Sequence, residues 1–173
     1  MEPLYFYGHT PTRDTFKRYY FSQFYPTKFV ENGVEYWCCE QYMMSKKAQL
    51  FAIGLNKTYN TDLCKNIMES TDAKQIKSFG RKVRGFDEKI WSDSRYKIVV
   101  AGNFLKFSQN PLLRDALLAT GDRVLAEASP SDNIWGIGLS RADAERQPVI
   151  KWRGLNLLGD ALMEVRARLA TKN

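Results

Sequence analysis

Apolar positions along the final third of the chain recur at helical spacing. Between Gly154 and Ala170, residues Leu157, Leu158, Ala161, Leu162, Val165 and Leu169 fall on one face, which predicts an amphipathic closing helix. From about Tyr36 to Phe51 the sequence contains no breaker and reads as a second helix that stops near Gly54. Asp72, followed three residues later by Gln75, resembles a capping box, and the helix it opens runs to about Val83 with Gly85 as its stop. Phe86 to Ser108 reads as one long helix starting near Asp87, with Gly102 as a weak point in its second half. Asn110 and Pro111 make a favourable N-cap and first helical position, and Gly121 is a natural stop.

The first 35 residues have a different texture. Tyr5–Tyr7, Tyr19–Phe24 and Lys28–Val30 read as extended pieces, and Glu31-Asn32-Gly33 reads as a turn. Arg123–Ala128 alternates like a strand and leads into a loop, Ser129–Leu139, rich in Ser, Pro, Asp, Asn and Gly. There is no internal repeat or linker. Strands first and helices afterwards predict an α+β fold with a helical majority, and 173 residues suit a single domain over 1–173.

Composition narrows the function. Twenty-six Lys and Arg against nineteen Asp and Glu give a net charge of +7, which favours phosphate-bearing ligands over acidic ones. Ten Phe, nine Tyr and four Trp supply rings for a core or for stacking flat ligands. Three cysteines, Cys38, Cys39 and Cys64, have neither disulfide-framework nor zinc-site spacing. The lone His9 argues against a histidine metal site and against a Ser-His-Asp triad, so no metal and no cofactor is expected. With no secretory leader pattern and no apolar run of membrane-spanning length, the expected compartment is the cytoplasm, or the nucleus of a eukaryotic host.

If the chain is an enzyme, carboxylates and lysines carry its chemistry. In EQYMMSKKA, Glu40, Met44 and Lys47 share one helix face, so an acid and an amine point the same way. An acid can protonate a departing base, while an amine can attack a sugar's anomeric carbon. In the loop SPSDNIWGIG, Asp132 and Trp135 offer a carboxylate and a ring, and Gly136 and Gly138 let backbone approach a ligand. Glu127, in the strand before it, is a third carboxylate candidate. Phe21 or Trp91 can sandwich a purine, and Arg95 or Lys106 can meet a pyrophosphate. An acid and a lysine seven apart also occur on many solvated helices, and an Asp in such a loop is commonly a local cap.

In order along the chain, FSQFYPTKF, EQYMMSKKA, NFLKFSQNPLL, TGDRVLAEASPSDNIWGIG and GLNLLGDALMEVRARL resemble five segments of the NADAR (NAD- and ADP-ribose-associated, YbiA-like) family. The match runs from about Tyr5 to Leu169. The resemblance implies a YbiA-like fold that is compact and mainly helical with a few short strands. It also implies hydrolysis of N-glycosidic bonds between ribose and a base, in ADP-ribosylated guanine of a nucleotide or DNA, or in early riboflavin-pathway intermediates. It makes Lys47 the amine that forms a Schiff base with the ribose, with Glu40 and Asp132 as acid-base and charge-stabilising groups. Phe21, Ser22, Trp91 and Trp135 become pocket residues. Net charge and rings tilt the expectation toward ADP-ribosylated guanine. A non-catalytic reader of ADP-ribose or NAD is the alternative of a different class. Gln23, Gln41 and Met44 depart from the family's Asn, His and Gln, which bears on substrate preference, and register with Glu40 favours Lys47 over Lys46 as the reactive amine.

Overall fold

In the computed structural model, which describes residues 2–171, the chain folds as an α+β protein dominated by helices. The described residues form two compact units, one built from the segments up to Tyr25 and from Phe107 onward, the other from Pro26–Lys106.

The Pro26–Lys106 unit opens with an antiparallel hairpin, β2 (Phe29–Glu31) and β3 (Val34–Tyr36), pairing Phe29 with Tyr36. Asn32 and Gly33 both have positive φ, 50° and 80°, the requirement of a two-residue hairpin turn that Asn-Gly meets without strain. Helix α1 (Cys39–Leu50) follows and packs against α2 (Lys57–Glu69) and α3 (Ala73–Gly80). Residues 57–69 carry no clear helical signal in the sequence. Only Leu63 and Ile67 continue the apolar stripe of α2, because the third buried position is Asn60. Asn60 donates to the carbonyls of Phe51 (2.7 Å) and Arg84 (2.9 Å) and accepts from the Arg84 N–H (3.0 Å), so a polar residue here does core work.

Asp72 caps α3 as expected, its carboxylate accepting from the Lys74 and Gln75 N–H groups. The return half of the capping box differs: Ser70 Oγ accepts from the Asp72 N–H and itself donates to Gln75 Oε1 at 2.6 Å. The helix stops at Gly80, short of Val83, where a β-carbon would sit 1.9 Å from Met44 Sδ. Helix α4 (Glu88–Gln109), whose residues through Lys106 belong to this unit, starts after Asp87, which accepts from the Ile90 N–H at 2.9 Å. Gly102 persists in that helix because a side chain there would strike Tyr42, 2.7 Å away.

In the other unit, β1 (Leu4–Phe6) pairs in parallel with β4 (Leu125–Glu127), and α7 (Leu157–Ala170) packs on β4 and on α5 (Pro111–Leu118). Residues 19–24, read as extended from sequence, instead begin inside a 3-10 turn at Arg18–Phe21. Asp14 causes this. Its carboxylate accepts from the Phe16 and Arg18 N–H groups and pairs with the Arg18 guanidinium at 2.7 Å, tying the chain into a turn that drives Phe21 inward. Asn156 sets the start of α7. At φ 56°, it accepts from the Glu127 N–H (3.1 Å) and donates to the Leu125 carbonyl (2.9 Å), clamping the helix to β4. A short helix, α6 (Arg141–Ala144), follows the Ser129–Leu139 loop, capped by Ser140.

Candidate functional site

Helix α1 holds the acid and the amines. Glu40 lies in its first turn, where the helix dipole favours a carboxylate, and is only 3% exposed. Lys47, two turns on, is about 10.5 Å further along the axis, and long helical side chains favour rotamers that lean back toward the helix N-terminus. Glu40 and Lys47 therefore share an electrostatic field, and the negative charge of Glu40 raises the Lys47 pKa.

Lys46 and Lys47 are adjacent in sequence and both lie over rings, but they differ in ion pairing and in the direction of their pKa shifts. Lys46 Nζ pairs with Glu31 Oε2 at 2.6 Å and lies over the Tyr42 ring, and the paired carboxylate outweighs burial to lift its pKa. Lys47 Nζ lies 4.6 Å from the centre of the Phe86 ring and 5.4 Å from that of Trp91, and among the described residues it takes no hydrogen bond and no ion pair. Burial lowers its pKa below the ordinary lysine value; Glu40 and Glu88 oppose that shift and Arg81 reinforces it. A half-buried amine with aromatic faces for neighbours is the arrangement that leaves lysine nucleophilic.

Trp91 is 7% exposed, so its ring serves as the inner wall beside the amine. Phe86, which the sequence reading did not single out, is 43% exposed and braced by Phe51 at 5.4 Å. Its aromatic character next to Gly85 was the only available signal. Arg95 is largely buried, with its guanidinium 3.6 Å from Glu88. Lys106 corrects one expectation: it is 0% exposed, burial pushes its pKa down, and Cys39 and Cys38 oppose the shift, so it is a core amine and not a surface contact for pyrophosphate.

The departures at Gln41 and Met44 also have structural explanations. Gln41 accepts from the Trp37 N–H at 2.7 Å and donates to the carbonyls of Ile67, Met68 and Ser70, closing the C-terminal end of α2. Met44 packs on Gly80. Neither side chain is available to select a substrate. Burial raises the Cys38 thiol to about 12 and the Cys39 thiol to about 11, which removes both as thiolate nucleophiles.

In the other unit, Asp132 Oδ1 accepts from the Ile134 and Trp135 N–H groups at 2.9 and 2.8 Å, an Asx cap that shapes the loop. Trp135 is partly exposed beside it. Gly136 is required by packing: a β-carbon would lie 2.9 Å from the Glu127 carbonyl and 3.0 Å from that of Asp132. The loop thus brings Glu127, Asp132, Trp135 and Gly136 together. Ser22 Oγ accepts from the Phe24 N–H. Phe21 is 0% exposed, its ring packed edge-on against Phe6 at 5.7 Å and near Phe107 at 6.3 Å, so it is a core residue and not an open stacking face.

A cavity of about 880 Å³ in this same unit, lined by Tyr5, Asp14, Arg18, Arg141 and Glu145 among others, includes none of the candidate site residues named from sequence. Of its three arginines, Arg18 pairs with Asp14 and Arg141 with Glu145, while Arg123 lies over the Phe16 ring. Among the described residues no group of three or more His, Cys, Asp or Glu is placed to hold a metal, and no helix is long and apolar enough to cross a membrane.

The fold and the α1 constellation define a chain with an amine presented between rings on a small helical scaffold. The chain belongs to the NADAR domain family, whose model matches residues 5–170. It is 48% identical over 151 residues to the N-glycosidase R617 of Acanthamoeba polyphaga mimivirus, covering 84% of this chain and 85% of that one. It is 36% identical over 168 residues to Protein irg-1 of Caenorhabditis elegans, covering 88% and 76%. The solution structure of Escherichia coli YbiA superposes with a TM-score of 0.72 at 24% identity, covering 99% of this chain and 88% of that one, a likeness of fold.

Proposed function

We propose that the protein is an N-glycosidase that hydrolyses the bond between ribose and a base through Lys47, with ADP-ribosylated guanine as substrate. The observation that carries this reading is the Lys47 amine: half-buried, lowered in pKa by that burial, faced by Phe86 and Trp91, and engaged by no hydrogen bond or ion pair among the described residues. A relative covering most of the chain bears the name N-glycosidase R617.

In the proposed reaction the neutral Nζ attacks C1 of the ribose. The glycosidic C–N bond breaks, its electron pair leaves with the base, and Glu40 protonates the base nitrogen. The ring opens to an imine between C1 and Nζ. Water adds to C1, the amine departs, and the free sugar closes; one water is consumed and no electrons are exchanged. Asp132 and Trp135, in the other unit, are kept as candidates for a charge-stabilising carboxylate and a stacking ring. The positive balance of the chain supports a substrate with a diphosphate.

A second reading, cleavage of a riboflavin-pathway intermediate, draws on 28% identity over 168 residues to the riboflavin biosynthesis protein VVA0006 of Vibrio vulnificus, of which this chain covers 39%. The test runs both substrates in parallel, with borohydride present and absent. Base release from ADP-ribosylated guanine, and a borohydride-fixed sugar adduct mapped to Lys47, is the expected result. Release from the ribosylamino-pyrimidine alone would move the protein to metabolite clearance. Tight ADP-ribose binding with release from neither would make it a reader.

A further inference from the structure

The segment that joins α3 to α4, residues 81–87, borders the Lys47 amine through Phe86, and the reaction just described gives its three cations no step. It reads Arg-Lys-Val-Arg-Gly-Phe-Asp. Val83 is buried and the other six are exposed. Among the described residues, none of Arg81, Lys82 and Arg84 forms an ion pair, whereas the acids that follow are engaged: Asp87 caps α4 and Glu88 faces Arg95. Arg81 is near enough to Lys47 to act on it electrostatically.

The segment is also held in shape. Asn60 grips Arg84 by both its N–H and its carbonyl, at 3.0 and 2.9 Å. The Arg84 guanidinium carbon lies over the Tyr59 ring, 3.7 Å from its centre, and the residue is exposed. Gly85, at φ 68°, fits against Asn56, whose Nδ2 would be 2.4 Å from a β-carbon. Phe86 follows, its ring braced by Phe51 and 43% exposed.

We infer that residues 81–86 form a docking strip for single-stranded nucleic acid, with Arg81, Lys82 and Arg84 meeting successive phosphates and Phe86 stacking on an unpaired base beside Lys47. Cations without an acidic partner, followed by an exposed ring, are what a strand with splayed bases requires, even where Lys82 and Arg84 also lie over the Phe79 and Tyr59 rings; a duplex hides the base faces that Phe86 would stack on. The inference rests on the proposed glycosidase reading for its substrate, a modified base carried in a strand, but strand binding itself needs no turnover.

The experiment measures anisotropy of a fluorescent, unmodified DNA strand of about twelve nucleotides over a range of salt. The same strand in duplex form and ADP-ribose serve as competitors. The intact protein is expected to bind the strand, and the Arg81→Ala, Lys82→Ala, Arg84→Ala triple variant to bind it roughly tenfold or more weaker, with the slope of log K against log salt shallower by about 2. A charge-matched triple variant in the other unit, Arg13→Ala, Arg146→Ala, Lys151→Ala, should stay within about twofold of the parent. Phe86→Ala should weaken the single strand about fivefold and leave the duplex unchanged. Circular dichroism checks that each variant is folded.

Equal weakening in the two triple variants, or no strand binding by the intact protein, overturns the strip. Displacement of the strand by ADP-ribose at equal phosphate concentration would reassign the cations to a free diphosphate and overturn it as well. Failure of the glycosidase reading looks different: strand binding persists in the parent and in Lys47→Ala while neither releases a base.

Discussion

Helix α1 and the Ser129–Leu139 loop were matched in the sequence, each offering a carboxylate and a second group for chemistry, yet the structure treats them differently. In α1 the surrounding groups leave the Lys47 amine without a hydrogen bond or ion pair among the described residues. Lys46 goes to Glu31 and Gln41 goes to the end of α2, and Lys47 is left between two rings. In the loop, Asp132 Oδ1 is committed to its own backbone and Gly136 to close packing. A motif in a loop has to build its own shape first, whereas a helix already satisfies its backbone and can present side chains freely.

That contrast can be broken most severely at Lys47. Lys47→Ala should cost a thousandfold or more in base release, on the order of the effect of removing a covalent nucleophile. Lys46→Ala, which removes only a partly exposed ion pair, should cost less than about tenfold. Single-turnover kinetics of the two variants checks the order. Similar losses in both would mean that the amines are not distinguished by their surroundings.

The loop is sharpened by separating shape from charge. Asp132→Asn keeps a side-chain oxygen to accept from the Ile134 and Trp135 N–H groups but removes the charge, whereas Asp132→Ala removes both. If the carboxylate acts on the sugar, each should lose activity, and only the alanine variant should also lose about 1 kcal/mol of stability, seen in a denaturant melt. An asparagine variant with full activity would leave Asp132 as a cap alone.

The smallest expected effect is a movement of the pH profile. The neutral amine is the nucleophile, so the limb of the pH profile that reports Lys47 should rise with pH through a pKa that burial holds below the ordinary lysine value. Glu88 raises that pKa, so Glu88→Gln should move the inflection to lower pH; Arg81 lowers it, so Arg81→Ala should move it to higher pH. The pH dependence of borohydride trapping reads the inflection directly. The folded value lies below the unfolded one, so the stability cost of burying Lys47 is full at low pH and is relieved as pH rises through the folded value.

Much of the fold was legible because its signals are local. The Asn-Gly turn, the Asp72 cap, the Asn110-Pro111 start and the closing amphipathic stripe each depend on residues within a few positions of one another. The misses share a cause. Helix α2 was hidden because Asn60 occupies a core position, its polarity answered by carbonyls 9 and 24 residues away. The turn at Arg18–Phe21 was read as extended because Tyr and Phe favour strands, and Asp14 overrode that preference. At the site, Lys106 and Phe21 carried the right chemistry but not the exposure, and Phe86 carried the exposure without a motif.

The sequence by itself determined the family, the helical majority with short strands, and the pairing of Glu40 with Lys47, since a helix places residues seven apart on one face whatever surrounds it. Only the tertiary structure decided which lysine is left uncommitted, which ring borders it, and which arginines face outward. Those properties depend on burial and on partners distant in the chain: Glu31 for Lys46, Phe86 and Trp91 for Lys47, and Tyr59 and Asn60 for Arg84. Local sequence fixes where a side chain points, but the charge it keeps and the solvent it sees are set by groups that only folding brings near.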